Sequence, residues 1–202
     1  MTSIEYITLE VADPTAANRF YPGALGLGAQ VRVRASEAPT TGFRGFTLAL
    51  VVSQPATVNG LIGAALDAGA TVLKPAAKSL WGYGGVVQVP DGTILTVASS
   101  TKKDTGPATR QIDDIVLQLG VADVAASKRF YVDRGLAVAK SYGRRYVEFD
   151  SGPVKLTLYK RRALAKVAGV SSDGTGTHGI VVGSDAGPFT DPDGFTWEAT
   201  SS

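Results

Sequence analysis

Apolar and polar residues alternate in two short stretches of the chain, residues 7–11 and residues 117–121. Alternation with a period of two predicts, in each place, a strand that is buried on one face. The segments that continue from these strands, residues 11–21 and residues 121–131, are identical at seven of eleven positions. Agreement this extensive at one constant offset indicates an internal duplication.

A helix is predicted directly after each of these strands. Asp13 and Asp123 stand at the predicted helix starts. A carboxylate at this position accepts hydrogen bonds from the first backbone N–H groups, which have no partner within the helix. The spacing also places two aromatic residues on the inner face of each helix, Phe20 with Tyr21 and Phe130 with Tyr131.

The first copy continues into a longer helical pattern. Apolar residues recur at three- and four-residue spacing across residues 55–68, and Gly69 stands where this helix should end. A strand is predicted at residues 71–73 and a turn at residues 82–85. With the flanking strands, residues 46–98 therefore follow the order βαβββ.

The second copy follows the same βαβββ order across residues 112–159. A short helix is then predicted at residues 163–168, a loop at residues 171–177 and a last strand at residues 195–199. The polar segment 101–111 is the predicted linker between the two copies.

Both copies are shorter than a complete pair of βαβββ units. The first, residues 1–100, lacks a strand hairpin between Arg34 and Phe46. The second, residues 112–202, lacks a helix between Gly183 and Phe189. The shortened copies leave strand edges and apolar faces uncovered, which favours a homodimer slightly over pairing within one chain.

Composition narrows the class of protein. A net charge of +2 is too small to indicate nucleic acid or a membrane as a partner, and the basic run 160–162 is typical of a solvated turn. The chain has no cysteine, which excludes disulfides, thiolate metal sites and a cysteine nucleophile. The first residues show no signal-peptide pattern, so a cytoplasmic protein is expected.

The combined pattern resembles the vicinal oxygen chelate superfamily, which includes glyoxalase I, bleomycin-resistance proteins and extradiol dioxygenases. The resemblance rests on the strand that ends in Val-x-Asp, on the helix that ends in Phe-Tyr, and on Asp191-Pro192-Asp193-Gly194 before the last strand. Trp81-Gly82 and Lys74-Pro75 are similar to glyoxalase-like proteins of actinobacteria. The resemblance implies an α+β fold of two tandem copies of shortened, paired βαβββ modules, which form a partly open, barrel-like sheet around a cavity.

Catalytic members of this superfamily hold a divalent metal through His or Glu on the first and last strands of the modules. In the first copy, Tyr6 stands at the first-strand position, Thr96 at the last-strand position, and Phe46 or Thr47 at the next ligand position. None of these residue types is a usual ligand for such a metal. The resemblance therefore implies no metal site in the first copy.

The second copy retains three residues of suitable chemistry. Asp114 lies at the first-strand position by one alignment, and Val116 by another. His178 lies at or near the second ligand position, and Glu198 lies on the last-strand Glu. By resemblance, Asp114, His178 and Glu198 are candidate ligands for Ni, Zn, Mn or Fe, with Glu198 as the catalytic proton carrier. They are alternatively remnants of a lost site.

The resemblance also implies a pocket lined by aromatic side chains. The candidates for binding a ligand are Tyr6, Phe43, Trp81, Tyr83 and Trp197, and packing in the core is the alternative. Arg32 and Arg44 would select an anionic ligand if they pointed inward.

Three functions follow from these features. The favoured hypothesis is a bleomycin-resistance-like protein that binds a small molecule without a metal. The alternatives are a metal-dependent lyase, isomerase or dioxygenase, and a structural or regulatory dimer without a pocket.

Overall fold

The computed structural model describes residues 1–200 and has a mixed α+β fold. Its helices are α1 (Pro14–Asn18), which continues as a π-helical segment (Arg19–Ala24), α2 (Pro55–Asp67), α3 (Val124–Val132) and α4 (Arg161–Ala168). None of the helices in this part of the chain has the length and apolar character needed to cross a membrane.

The strands of the first copy are β1 (Ile4–Val11), β2 (Val31–Ala35), β3 (Thr40–Gly42), β4 (Phe46–Val51), β5 (Thr71–Ser79), β6 (Gly82–Gln88) and β7 (Ile94–Ser99). The strands of the second copy are β8 (Asp114–Val121), β9 (Ala137–Tyr142), β10 (Tyr146–Asp150), β11 (Val154–Lys160), β12 (Gly174–Gly176), β13 (Ile180–Ser184), β14 (Phe189–Thr190) and β15 (Thr196–Ala199).

These strands form two large sheets and one small sheet. The eight-stranded sheet has the order β5-β6-β7-β4-β8-β11-β10-β9, and the five-stranded sheet has the order β14-β15-β13-β1-β2. Strands β3 and β12 pair with each other in the two-stranded sheet. The sheets are not closed into a barrel, and the predicted α+β fold of paired βαβββ modules is confirmed.

Each large sheet contains strands from both sequence copies. Antiparallel pairing of β4 with β8 joins the copies in the eight-stranded sheet, where Leu48 lies opposite Leu117. Antiparallel pairing of β1 with β13 joins them in the five-stranded sheet, where Ile7 lies opposite Val182. The complete βαβββ units at 46–98 and 112–159 therefore pair within a single chain.

The five-stranded sheet is built from the two shortened units. The first contributes only β1 and β2, and the second contributes β13, β14 and β15. The outer strands that a complete unit would add are missing at both places. This sheet is consequently narrower than the eight-stranded one. The sequence pattern predicted the missing hairpin of the first copy, whereas for the second copy it predicted only a missing helix.

One hydrophobic core joins the sheets to α1, the π-helical segment, α2 and α3. Alternate residues of the central strands, such as Leu48, Leu117 and Leu156, point into this core because successive side chains on a strand face opposite sides. Helix α4 packs elsewhere: Leu164 belongs to a second apolar cluster that includes Val86. Helices α2 and α3 thus lie on one face of the eight-stranded sheet, and α4 lies on the other.

The β5–β6 hairpin differs from the sequence-based expectation. Strand β5 continues to Ser79, and residues 82–85, which we predicted as a turn, belong to β6. Strand β5 is an edge strand, and its pairing is irregular around Pro75, a position where the missing N–H is tolerated. Gly85 permits α2 to approach closely, since a Cβ there would lie 2.8 Å from Ile62 Cδ1.

The predicted helix caps are confirmed in both copies. Asp13 accepts a hydrogen bond from the backbone N–H of Ala16 at 2.9 Å. Asp123 accepts from Ala125 at 2.9 Å and from Ala126 at 3.1 Å. The repeated sequence therefore forms the same local structure twice.

The tyrosine of each Phe-Tyr pair binds an aspartate in a distant turn. Tyr21 donates to Asp91 Oδ2 at 2.7 Å, and Tyr131 donates to Asp191 Oδ2. Burial raises the pKa of Asp191 above its usual value, and the hydrogen bond from Tyr131 partly opposes this shift. In both copies the contact fixes the helix against the turn that precedes a last strand.

The predicted linker packs against α2 through the side chain of Gln54. The amide oxygen of Gln54 accepts from the N–H groups of Thr105 and Gly106 at 2.8 and 3.1 Å, and Nε2 donates to Pro107 O at 2.7 Å. Asp104 accepts from Ala56 N–H at 2.7 Å in the first turn of α2. Residues 104–107 therefore act as part of the cap of α2.

We expect Gln54→Ala to lower the free energy of unfolding by about 2 kcal/mol, because the buried Gln54 side chain loses its hydrogen bonds to two backbone donors and one backbone acceptor of the linker together. Chemical denaturation measures the change. Gln88→Ala is the control, because the Gln88 side chain makes one hydrogen bond, to Gly92 O. Equal effects of the two substitutions would contradict this account of the linker.

We expect Tyr131→Phe to lower the free energy of unfolding by about 2 kcal/mol at neutral pH, where Asp191 is ionised and needs the donor. Loss of the Tyr131 hydroxyl raises the pKa of Asp191 further. The destabilisation caused by the substitution therefore grows as the pH rises through the pKa of Asp191, and it shrinks in acid, where the carboxyl group is protonated. Chemical denaturation at neutral and at acidic pH tests whether the destabilisation is smaller in acid. Tyr142→Phe, at an exposed tyrosine, should have little effect at either pH.

Candidate functional site

Tyr6 occupies the first-strand position of the five-stranded sheet and leaves no space beside it. Tyr6, Gly183 and Glu198 lie in one row across β1, β13 and β15. The Tyr6 ring lies against Gly183, where a Cβ would be only 2.4 Å from the ring. The guanidinium carbon of Arg32 lies 3.5 Å from the ring centroid. Tyr6 thus packs between its neighbours in this row and is not part of an open pocket.

Glu198 shares the five-stranded sheet with Tyr6 but is bound to an arginine. Arg34 Nη1 lies 3.4 Å from Glu198 Oε2, and Arg34 Nη2 lies 2.9 Å from Glu10 Oε1. The hydrogen bond to Glu10 raises the pKa of Arg34. A guanidinium therefore lies between the two carboxylates, where a cation-binding site would need open space.

Asp114 and His178 do not join Glu198. Asp114 lies on the eight-stranded sheet and pairs with Lys155 Nζ at 2.9 Å. His178 Nδ1 lies 2.6 Å from Arg44 O, and Nε2 lies 2.9 Å from Asp193 O. Both ring nitrogens therefore face carbonyl oxygens, and neither nitrogen is directed at open space.

The metal site implied by the resemblance is therefore not assembled from Asp114, His178 and Glu198. Within residues 1–200, no group of three or more His, Cys, Asp or Glu side chains is arranged to hold a metal ion. The donor set does not fit a divalent cation, because each of the three candidates is already bound by a cation or by backbone carbonyls.

The predicted aromatic ligand-binding residues are also dispersed. Trp81 lies at the tip of the β5–β6 hairpin and is 84% exposed, whereas Trp197 is 1% exposed and stacks on Phe189 in the core. Tyr83 donates to Asn59 Oδ1 at 2.9 Å on α2. Of the five predicted residues, only Phe43 lines the cavity described below.

The second face of the eight-stranded sheet is polar at its centre and is partly covered by α4. Thr47 donates to Gln118 Oε1 at 2.8 Å, and Gln118 Nε2 lies 3.4 Å from the Tyr159 hydroxyl. Burial raises the pKa of Tyr159. Gly120 permits the contact with α4, since a Cβ there would lie 3.0 Å from Arg161 Cα. This face therefore holds a hydrogen-bonded network beside a packed helix.

A large cavity lies at the junction where the first turn of α4 meets the start of β4 and the loop before β13. We call it the junction cavity, and its volume is about 800 Å³. Its lining comprises Phe43, Arg44, Val121, Ala122, Lys160, Arg161, Arg162 and residues 172–178.

Two arginines shape the wall of the junction cavity. Arg161 donates to Ser172 O at 3.0 Å and to Phe43 O at 2.6 Å, and so ties the loop to the start of β4. Arg44 is 8% exposed and donates through Nη2 to Thr93 Oγ1 at 2.7 Å. Burial lowers the pKa of Arg44, an effect that the charge of Asp91 partly opposes.

The sequence analysis did not predict that the basic run 160–162 borders a cavity. We interpreted it as a solvated turn. Lys160 and Arg162 are indeed exposed, but Lys160 ends β11 and occupies the N-cap position of α4, and Arg161 and Arg162 begin that helix. The signal was present in the sequence, because three cations directly precede an apolar helical pattern. What the sequence lacked was the position of the loop 172–178, which closes the other side of the cavity.

Comparison with solved structures places this fold among known proteins. Glyoxalase I from Zea mays superimposes with a TM-score of 0.62 at 14% identity, covering 98% of this chain and 92% of that one. A Bacillus subtilis protein proposed to be a dioxygenase gives a TM-score of 0.62 at 11% identity, covering 98% and 84%. No protein-family model and no curated protein sequence matches the chain.

The chain thus shares its fold with glyoxalase I from Zea mays, as the sequence resemblance predicts. The similarity spans nearly the whole chain, so both copies and their cross-paired sheets are part of it. Sequence identity this low establishes the fold and leaves the chemistry to be argued from the side chains.

We expect the protein to bind no stoichiometric divalent metal through Asp114, His178 and Glu198, because these side chains do not converge. The measurement is elemental analysis after incubation with Ni, Zn, Mn or Fe and dialysis. A triple variant, Asp114→Asn, His178→Gln and Glu198→Gln, should give the same metal content as the unaltered protein. Stoichiometric metal that disappears in the triple variant would show that the three residues do form a site.

Proposed function

We propose that this protein binds a small molecule in the junction cavity and that binding requires no metal. The observation that carries the proposal is the cavity itself, which is large enough for a metabolite or drug-sized compound and has both apolar and charged walls. Phe43 supplies an apolar wall, and the side chains of α4 and the loop 172–178 supply polar groups.

The side chains at the superfamily's metal positions support this proposal. In the five-stranded sheet, Tyr6 packs on Gly183, and Arg34 binds Glu198. In the eight-stranded sheet, Thr47 and Gln118 bind each other, and Thr96 stands at the last-strand position. These residues stabilise the sheets and provide few ligands for a cation, so a binding role fits better than metal-assisted chemistry.

The fold supports a binding role in general terms only. The superfamily fold hosts unrelated functions, so the maize glyoxalase I similarity does not carry a substrate to this chain. A sequestering protein needs a cavity of suitable size and polarity, and it needs no arrangement of catalytic groups. The junction cavity meets that lesser requirement.

We expect a screen of small compounds by thermal unfolding to find ligands that raise the melting temperature in a saturable manner. Ala122→Phe should abolish this shift, because Ala122 is exposed and lines the cavity, where a larger side chain fills the space. Ala139→Phe is the matched control, since Ala139 is exposed on β9 and does not line the cavity.

Two results would contradict the proposal. One is a broad screen in which no compound stabilises the unaltered protein. The other is a ligand that stabilises the Ala122→Phe variant as strongly as it stabilises the Ala139→Phe variant.

A further inference from the structure

Three tyrosine side chains form a row on one face of the eight-stranded sheet, at its β9 edge. Tyr142, Tyr146 and Tyr159 lie opposite one another across β9, β10 and β11. The ring centroids of Tyr142 and Tyr146 are 6.0 Å apart, and those of Tyr146 and Tyr159 are 5.1 Å apart. This tyrosine row is on the face that carries α4, because the neighbouring residue Leu158 points into the core on the other face.

The tyrosine row becomes more exposed towards the edge of the sheet. Tyr159 packs against the apolar cluster that includes Leu164 of α4, and Tyr146 is partly buried. Tyr142 is 60% exposed and lies on the edge strand β9, beyond which no further strand follows in this sheet. An exposed ring at the end of an aromatic row can stack on another flat ring.

Basic side chains lie at one end of the strands that carry the tyrosine row. Arg144 and Arg145 lie in the turn between β9 and β10, and Lys160 ends β11. Strand β10 is antiparallel to both of its neighbours, so this turn and the end of β11 are on the same side of the row. All three cations are exposed.

These cations belong to a strongly basic segment of the chain. Residues 128–162 contain ten arginine or lysine residues and three aspartate or glutamate residues, which is a net charge of +7. The rest of the chain carries −5, because the whole chain carries +2. The small overall charge, from which no nucleic-acid partner was expected, therefore conceals two parts of opposite sign. A local basic surface attracts polyanions even when the net charge of the protein is small.

The protein itself neutralises few of these charges. Within residues 1–200, Lys155 is the one cation of the segment 128–162 that forms an ion pair, and its partner is Asp114. Glu148 lies on the same face as the tyrosine row and accepts a hydrogen bond from the Tyr146 hydroxyl at 3.0 Å. Exposed cations alone do not define a site. Cations beside a partly exposed row of aromatic rings, however, are typical of surfaces that bind single-stranded nucleic acid.

We propose that the tyrosine row and the cations beside it bind single-stranded nucleic acid. Tyr142 stacks on a base, and Arg144, Arg145 and Lys160 contact the phosphates on either side of that base. A duplex fits this surface less well, because its bases are stacked on one another and their faces are not accessible. The proposal is separate from the small-molecule proposal, since only Lys160 among these four side chains lines the junction cavity.

Fluorescence anisotropy at low ionic strength tests the proposal, with a labelled single strand of DNA of mixed sequence and about 15 nucleotides as the probe. We expect saturable binding that weakens as salt is added. The double variant Arg144→Gln and Arg145→Gln should bind about tenfold or more weakly, because two phosphate contacts are lost. The slope of log affinity against log salt concentration should decrease in magnitude by about 1.4 for the same reason.

The matched control is Lys102→Gln with Lys103→Gln, which changes the net charge equally at exposed linker positions. This variant should bind the probe like the unaltered protein. Both double variants should also melt like the unaltered protein, because all four positions are exposed. Equal weakening of binding in the two double variants would overturn the proposal, as would a failure of the unaltered protein to bind both the DNA strand and an RNA strand of the same sequence.

A substitution at Tyr142 separates base stacking from attraction by charge alone. Tyr142→Ala should weaken binding of the single strand about fivefold or more, whereas Tyr142→Phe should retain it, because the ring and not the hydroxyl stacks on the base. Binding of heparin, a polyanion without bases, should be the same in both variants. Equal binding of the single strand by the two variants would overturn the proposal, and so would a duplex of the same sequence that binds as tightly as the single strand.

Discussion

Antiparallel pairing of β4 with β8 is the interaction on which the rest of the molecule depends. Each sequence copy contains one complete βαβββ unit and one shortened unit, and a complete unit alone leaves its first strand unpaired on one side. Pairing between the copies satisfies those backbone groups and makes one continuous eight-stranded sheet. The shortened units then pair through β1 and β13, so both pairings between the copies form within one chain.

The same pairing produces the junction cavity. It places the start of β4 beside the end of β8, where Gly120 N–H donates to Gly45 O at 2.7 Å. Strand β11 is parallel to β8 and ends at the same edge, so α4 begins there and turns back across the sheet. The loop before β13 closes the remaining side through Arg161. A change in the register of β4 against β8 would therefore disrupt the cavity as well as the sheet.

The narrower, five-stranded sheet has no open space for a cation at the predicted metal positions. In the five-stranded sheet, Tyr6 fills the space over Gly183, and Arg34 bridges Glu10 and Glu198. A narrower sheet provides fewer side chains around a central ion, and the remaining ones stabilise each other. The proposed binding role is therefore assigned to the junction cavity, which Phe43 and the loop 172–178 line.

Local features were determined by the sequence alone: the duplication, the caps at Asp13 and Asp123, the helix at 55–68 and the α+β pattern. Each depends on residues within a few positions of one another, so periodicity and capping chemistry suffice to predict it. Only the tertiary structure decided that Trp81 is exposed while Trp197 is buried, that His178 faces two carbonyl oxygens, and that the run 160–162 borders a cavity. The contact of His178 with Arg44 O joins residues 134 positions apart, and the cavity brings Phe43 and Arg44 beside residues 160–162 and 172–178, so no local pattern in the sequence specifies either one.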